Sequence, residues 1–127
     1  LGLFDERNLV ELGSPQYPGE RLVACRNPQL AALRTRAGEP YRLFALPWPQ
    51  PVIDDGRRLA ASYANFLIIN GAVLVPAYAD PADARAQAVL AEAFPNREII
   101  PVPCRPLIWQ NGSLHCITMQ LPQGAVA

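Results

Sequence analysis

Residues 65–102 constrain the fold of this chain more than any other stretch. Residues 65–69 and 72–75 are near-continuous apolar runs joined by Asn70-Gly71, a dipeptide that favours a two-residue hairpin turn with positive φ at both positions. The pattern predicts two antiparallel strands. Their continuous apolar character predicts that both faces of the hairpin are buried.

A helix and a third strand are predicted after the hairpin. Asp80-Pro81 fits an N-cap followed by proline at the first helical position. Asp83 falls on the polar side of this helix, and the apolar residues recur at helical spacing, namely Ala86, Val89, Leu90, Ala93 and Phe94. Residues 98–102 then form a short apolar strand. The predicted order, strand, strand, helix, strand, is typical of an α/β unit.

The flanking regions carry weaker patterns. Strands are predicted at residues 1–4, 21–24 and 41–46, and a loop at 13–19. Asn27-Pro28 starts a short helix that Gly38 ends. A turn is predicted at residues 54–56, a loop at 109–113, and a final strand at 114–119.

Length and charge limit what the chain can be. With 127 residues, half of them apolar, it can bury one modest core, so one domain is predicted over residues 1–127. Lys plus Arg and Asp plus Glu both number 11, and the absence of a basic run argues against a nucleic-acid partner. No apolar run approaches the roughly 20 residues of a membrane helix, so a cytoplasmic protein is expected. Because the chain opens on Leu1 and its only methionine is Met119, we expect a piece of a longer protein.

The three cysteines, Cys25, Cys104 and Cys116, are odd in number and far apart, which predicts neither a disulfide framework nor a zinc site. Cys116 follows His115, the sole histidine, in the predicted final strand. From the residues alone Cys116 is either a nucleophile or a core residue, and the core role is the more frequent one for a cysteine in an apolar strand. Neighbours in a strand point to opposite faces, so His115 is not expected to be the base for Cys116.

Other polar and aromatic residues also allow two interpretations. Asn65 begins an apolar strand, and a buried amide there either brackets a loop or belongs to a site. Asp54-Asp55 precedes Gly56 and is interpreted as a turn, and Arg57-Arg58 as a solvated turn. The two tryptophans, Trp48 and Trp109, lie in irregular segments, where they either line a pocket or fill the core.

Two blocks carry a family resemblance: Ala-Ser-Tyr-Ala-Asn-Phe at 61–66 and Gly-Ser-Leu-His-Cys-Ile-Thr-Met-Gln-Leu-Pro at 112–122. With the Asn-Gly, Val-Pro and Asp-Pro pairs between them, they resemble the agmatine deiminase family, also called Porphyromonas-type peptidyl-arginine deiminases. The resemblance covers residues 28–122, and residues 1–26 match weakly. It implies a partial pentein fold, an α/β-propeller fan of ββαβ modules, of which this chain is the C-terminal module plus a closing strand.

The chemistry that the resemblance implies is hydrolysis of a guanidinium to a ureido group with release of ammonia, as in the conversion of agmatine to N-carbamoylputrescine in putrescine biosynthesis. By motif position Cys116 matches the catalytic nucleophile, and Asn65 matches an amide that shapes the substrate site. No metal or organic cofactor is implied. The implied partners are a guanidino compound, agmatine or arginine-like, and N-terminal modules of the same protein, with a homo-oligomer as a further possibility.

This sequence departs from the family pattern in two respects. The family's His-x-Asp pair and its upstream acidic residue are not found, so we expect the N-terminal modules to supply them and this chain alone to be inactive. Gln-Asn-Gly-Ser precedes Leu114 where many members have a glycine run, which leaves the guanidino substrate open. The alternative is a non-catalytic α/β binding or assembly module in which Cys116 is structural.

Overall fold

The computed structural model describes residues 3–4, 8–12, 32–121 and 124–125. The predicted loop at 13–19, the strand at 21–24, Cys25 and the start of the Asn27-Pro28 helix lie outside the described residues. In the described part the strands are β1 (Leu3–Phe4), β2 (Asn8–Leu12), β3 (Arg42–Leu46), β4 (Ile53–Asp54), β5 (Arg57–Arg58), β6 (Leu67–Ile69), β7 (Ala72–Ala77) and β8 (Glu98–Pro103), and helix α1 is Asp83–Ala93.

The predicted strand, strand, helix, strand order is confirmed. β6 pairs antiparallel with β7, and β7 pairs parallel with β8 after the crossover through α1. In the turn only Gly71 has a positive φ, +77°, so the prediction for Asn70 was wrong. Burial on both faces holds for most of β7 but fails at Ile69, which is 39% exposed because β6 is an edge strand of its sheet.

Helix α1 buries the predicted apolar face. Ala86, Leu90 and Ala93 are fully buried, and the helix packs against β3, β7 and β8. The helix begins at Asp83, three positions after the predicted cap, yet the Asp80 carboxylate still accepts a hydrogen bond from the Ala82 N–H at 2.8 Å. Asp80 therefore caps the turn that leads into the helix. Among the described residues no helix has the length and apolarity needed to cross a membrane.

In the part of the chain that the structure describes, a hydrophobic core joins β3, β7 and helix α1. Phe44 and Leu46 of β3 meet Val73 and Val75 of β7 in the same buried cluster, and β3 also pairs in parallel with β2, which pairs antiparallel with β1. The strand predicted at 41–46 is thereby confirmed. Burial of this apolar surface is the main force that holds the described part together.

Two predictions at the ends of the described region were wrong. The helix from Asn27 does not extend to Gly38, because Arg34 is already bridged to Pro40. The closing strand at 114–119 is absent, and His115–Ile117 forms a single 3₁₀ turn instead. The N–H groups of Cys116, Ile117 and Thr118 each donate to the carbonyl three residues earlier. These local bonds satisfy the backbone without the neighbouring strand that a β-strand requires.

Candidate functional site

Cys116 and Asn65, predicted as the two site residues, are brought together in the structure. The Cys116 thiol donates to the Asn65 side-chain oxygen across 2.9 Å, although the two residues are 51 positions apart. Cys116 is exposed, unlike the typical core cysteine. The fold therefore places an accessible thiol against a carboxamide, each from one of the two sequence blocks singled out above.

The thiol lies on a 3₁₀ turn and not on a strand. The opposite-face argument about His115 therefore does not apply. A 3₁₀ turn has three residues per turn, so consecutive side chains still diverge by about 120°. His115 is exposed, and the hydrogen bond of the thiol goes to Asn65.

Asn65 ends a second 3₁₀ turn, Tyr63–Asn65, so it precedes β6 and does not begin it. The hydroxyl of Ser62 accepts from the Ala64 N–H at 3.3 Å and caps this turn. The Asn65 carboxamide has both an acceptor and two donors. Its oxygen can hold a thiol, and rotation of the amide would turn its NH₂ group toward a thiolate.

Residues 57–65, which we call the upstream segment, and residues 109–116, the thiol segment, lie side by side. Arg57 contacts Asn111, Asn65 contacts Cys116, and Tyr78 joins Ser62 to Ser113 between them. The paired positions advance in the same direction along both segments. The site is thus a junction of two segments about 50 residues apart, and residue periodicity could not reveal it.

Tyr78 is the central link of this junction. Its buried hydroxyl donates to the Ser62 carbonyl at 2.9 Å, accepts from the Ser62 N–H at 3.1 Å, and lies 2.7 Å from the Ser113 hydroxyl. Because the single phenol hydrogen goes to Ser62, Ser113 is the donor in the third bond. Burial raises the pKa of Tyr78, so this hydroxyl keeps its proton.

Asp83 ties the upstream segment to the start of α1. Its carboxylate accepts from the Tyr63 hydroxyl at 2.7 Å, from the Tyr78 N–H at 3.1 Å and from the Asp80 N–H at 3.1 Å. The prediction that Asp83 lies on the polar side of the helix was wrong. Its side chain is half-buried and accepts hydrogen bonds from these three groups. Burial is the main cause that raises the pKa of Tyr63, and the hydrogen bond to Asp83 raises it further.

Arg57 is exposed, as predicted, and its guanidinium in addition has partners in the thiol segment. It donates from Nη1 to the Asn111 side-chain oxygen at 2.7 Å and from Nη2 to the Trp109 carbonyl at 3.5 Å. Trp109 itself is 52% exposed. The adjacent Asp55-Gly56 forms the predicted turn, with positive φ at both positions.

Cys104 and Trp48 are the remaining candidates in the described part. Cys104 is completely buried, and burial raises the pKa of its thiol, as expected of a cysteine that packs in the core. Trp48 is half-buried, and its ring N–H has no hydrogen-bond partner among the described residues. Neither residue belongs to the junction around Cys116.

Gly112 was not singled out from the sequence, although it decides how closely the thiol segment can fold on itself. A Cβ at this position would lie 2.8 Å from Cys116 Cβ and 3.3 Å from its sulfur. Contacts between such atoms below 3.0 Å do not occur in relaxed structures. Gly112 is therefore required for the present position of Cys116. The feature of the sequence that could have indicated this contact is the glycine four residues before the cysteine.

We expect Gly112→Ala to displace Cys116 and to change the rate at which iodoacetamide alkylates its thiol by roughly 10-fold, since a displacement near 1 Å can have an effect of that size or larger on a reacting group. The alkylation rate of the Cys116 peptide and thermal unfolding should both be measured. Gly71→Ala is the matched control: its φ of +77° disfavours alanine, but nothing lies within 4 Å of the new Cβ. The control should lose stability and keep the native alkylation rate, and equal alkylation rates in both variants would contradict the prediction.

Comparison with known proteins gives a consistent set of relatives. The sequence profile of the Porphyromonas-type peptidyl-arginine deiminases matches residues 13–122. The agmatine deiminase of Pseudomonas fluorescens Pf-5 is 49% identical over 126 residues, covering 85% of this chain and 34% of that protein. The agmatine deiminase of Pseudomonas aeruginosa LESB58 is 48% identical over 104 residues, covering 82% of this chain and 28% of that protein. The chain therefore spans about a third of the length of these relatives.

Solved structures agree with the sequence matches. A Porphyromonas gingivalis protein provisionally named an arginine deiminase superposes with a TM-score of 0.84 at 47% identity, covering 98% of this chain and 38% of that one. The agmatine deiminase of C. jejuni superposes at 0.72 and 34% identity, covering 91% of this chain and 36% of that one. A Cys→Ser variant of the C. jejuni enzyme, solved with substrate bound, superposes at 0.70 and 33% identity, covering 91% of this chain and 34% of that one.

Proposed function

This chain belongs to the Porphyromonas-type peptidyl-arginine deiminase family, and from that premise we propose that it supplies the nucleophile, Cys116, of a hydrolase acting on guanidino compounds. The observation that carries the proposal is the 2.9 Å contact between the exposed Cys116 thiol and Asn65. In this assignment Cys116 attacks the substrate carbon and Asn65 orients the sulfur and shapes the substrate site.

The proposed reaction is a covalent displacement in two steps. The Cys116 thiolate adds to the guanidinium carbon, ammonia leaves after protonation by a general acid, and a thiouronium links the sulfur to the rest of the substrate. Water then adds to the same carbon, the C–S bond breaks, the thiol is restored, and a ureido product leaves. The substrate loses one nitrogen as ammonia and gains one oxygen from water.

A guanidinium is charged and delocalised, hence a poor electrophile, so the reaction requires carboxylates that bind its N–H groups and a histidine that protonates ammonia. Asp83 is the carboxylate that the hydrogen bonds through Tyr78 connect to the thiol segment, and it already accepts hydrogen bonds from the Tyr63 hydroxyl and from two backbone N–H groups. We therefore propose that the acid and the carboxylates come from other modules of the same protein, and that this chain alone is inactive.

We further propose that the ββαβ unit of β6, β7, α1 and β8 is one module of a pentein fan. Three large apolar residues after the thiol, Ile117, Met119 and Leu121, are strongly exposed, Met119 at 86%. Neighbouring modules or a second subunit would cover them, as is usual for exposed apolar clusters of this kind. A thiol nucleophile also has to stay reduced, which favours the cytoplasm as its compartment.

The alternative, a non-catalytic binding or assembly module with a structural Cys116, has less support. A packing cysteine is expected to be buried, as Cys104 is, whereas Cys116 is exposed. Packing also gives no reason for Asn65 to face the sulfur.

The proposal is tested by measuring ammonia release and the ureido product with the full-length protein. Agmatine is the expected substrate because the curated relatives reported above are agmatine deiminases. We expect turnover with agmatine and much slower turnover with free arginine and with peptidyl arginine. Turnover with arginine alone would correct the substrate and keep the reaction class, and the absence of ammonia from all three would overturn the proposed function.

A further inference from the structure

We propose that Arg57 is a positioning residue for Cys116, acting on the turn that precedes the thiol and not on the substrate. The inference rests on the proposed function, because it concerns the residue assigned there as nucleophile. It adds a determinant of thiol position that neither the family motifs nor the composition of the site indicates.

The first step of the argument is the double contact of the guanidinium. Arg57 donates a hydrogen bond to the Asn111 side-chain oxygen at 2.7 Å and a second one to the Trp109 carbonyl at 3.5 Å. A guanidinium is a rigid planar fork that can satisfy two acceptors at once, whereas lysine has one flexible ammonium group. The two acceptors lie on either side of Gln110, so the fork spans the end of the 3₁₀ turn Leu107–Gln110.

The second step is the backbone that Arg57 holds. Asn111 has φ of +67°, in the left-handed region, a conformation that asparagine adopts more readily than most residues but that still requires support. Its side chain is the one bonded to Arg57. The guanidinium therefore restrains the residue at which the chain leaves the 3₁₀ turn and reverses toward Cys116.

The third step is the attachment of the hairpin that carries Arg57 to the core. It begins β5, which pairs with β4 across the tight Asp55-Gly56 turn. Directly after the hairpin Leu59 is buried, and its N–H donates to the Val52 carbonyl at 2.8 Å. The base of the hairpin is thus tied to the core through Leu59, and Arg57 lies two residues before this attachment.

The last step links the restrained turn to the sulfur. Gly112 follows Asn111 and lies so close to Cys116 that a Cβ would be 2.8 Å from Cys116 Cβ. Ser113, next along the chain, is anchored to the Tyr78 hydroxyl at 2.7 Å. Gly112 is therefore held between the Arg57 contact on one side and the Ser113 anchor on the other, and release of the first contact frees Gly112 to move against the thiol.

The test uses the full-length protein with Arg57→Ala, Asn111→Ala, the double variant and Arg57→Lys. Arg58→Ala is the matched control, since it removes the same charge from the neighbouring exposed position. Four quantities are measured: kcat and KM for ammonia release, the thermal midpoint, and the rate at which iodoacetamide alkylates the Cys116 peptide, followed by mass spectrometry. Peptide resolution separates Cys116 from the other cysteines of the chain.

We expect Arg57→Ala to lower kcat roughly 10-fold, with KM and the thermal midpoint close to those of the Arg58→Ala control. The alkylation rate of Cys116 should change in Arg57→Ala and not in Arg58→Ala. Because either single variant already removes the contact between Arg57 and Asn111, the loss in the double variant should be smaller than the sum of the two single losses. Arg57→Lys should recover only part of kcat because it lacks the second donor group.

Independent, additive losses in the double variant, or the same kcat and alkylation rate in Arg57→Ala and Arg58→Ala, would overturn the positioning role. A KM change without a kcat change would also overturn it, since that result assigns Arg57 to substrate binding. The alkylation rate does not require turnover. A protein that releases no ammonia therefore refutes the proposed function while the comparison of alkylation rates still decides the role of Arg57.

Discussion

Replacement of Cys116 by serine in the full-length protein is expected to lower the turnover of agmatine by about 10⁴-fold or more, because a neutral hydroxyl is a far weaker nucleophile than a thiolate. The substitution removes an exposed sulfur, so the thermal midpoint should hardly change. The measurement is ammonia release under saturating substrate, together with the mass of the protein after rapid quenching. A covalent adduct on the native protein, absent from the variant, would identify the thiouronium.

Cys104→Ala is the matched control for that experiment. Cys104 is completely buried, so truncation should leave a small cavity and lower stability by about 1 kcal/mol, with turnover retained. The two cysteines thus have opposite expected signatures. A Cys116→Ser variant that keeps a tenth of the native turnover would remove Cys116 from the mechanism and favour the structural role for this residue.

Tyr78→Phe is expected to destabilise the protein by about 3 kcal/mol, because removal of one hydroxyl leaves buried hydrogen-bonding groups without their partner. That hydroxyl contacts the Ser62 N–H, the Ser62 carbonyl and the Ser113 hydroxyl. Urea unfolding of the full-length protein measures the change, provided that the slope m is unchanged between native and variant protein.

Two further results separate this network from a simple cavity effect. Ser113→Ala should lower the free energy of unfolding less in the Tyr78→Phe variant than in the native protein, since the hydrogen bond between Tyr78 and Ser113 is already lost in that variant. Burial raises the pKa of Tyr78 above 10.0, so above that pH the unfolded state loses its proton first and native stability falls. The difference in the free energy of unfolding between the native and the Tyr78→Phe protein should therefore become smaller as the pH rises past 10.0. A destabilisation below about 1 kcal/mol, the value of one ordinary hydrogen bond, would contradict the central role of Tyr78.

The local part of the fold could be predicted because its signals lie within a few residues of each other. The near-continuous apolar runs on either side of Asn70-Gly71 and the helical spacing of Ala86, Leu90 and Ala93 predicted the ββαβ order, and the structure has it. Errors occurred where the outcome depended on a neighbour that is distant in the sequence. Residues 114–119 have strand-like composition, yet without a paired neighbour in the described part they satisfy their backbone in a 3₁₀ turn.

The sequence by itself determined the family, the α/β order of residues 65–102, and the two residues most closely tied to the proposed chemistry, Cys116 and Asn65. Only the tertiary structure decided that these two meet at 2.9 Å, that Asp83 turns inward, and that Arg57 reaches Asn111. The physical reason is the range of the interactions: periodicity reports which face of an element is buried, whereas a hydrogen bond between residues more than 50 positions apart depends on how several elements pack around one core.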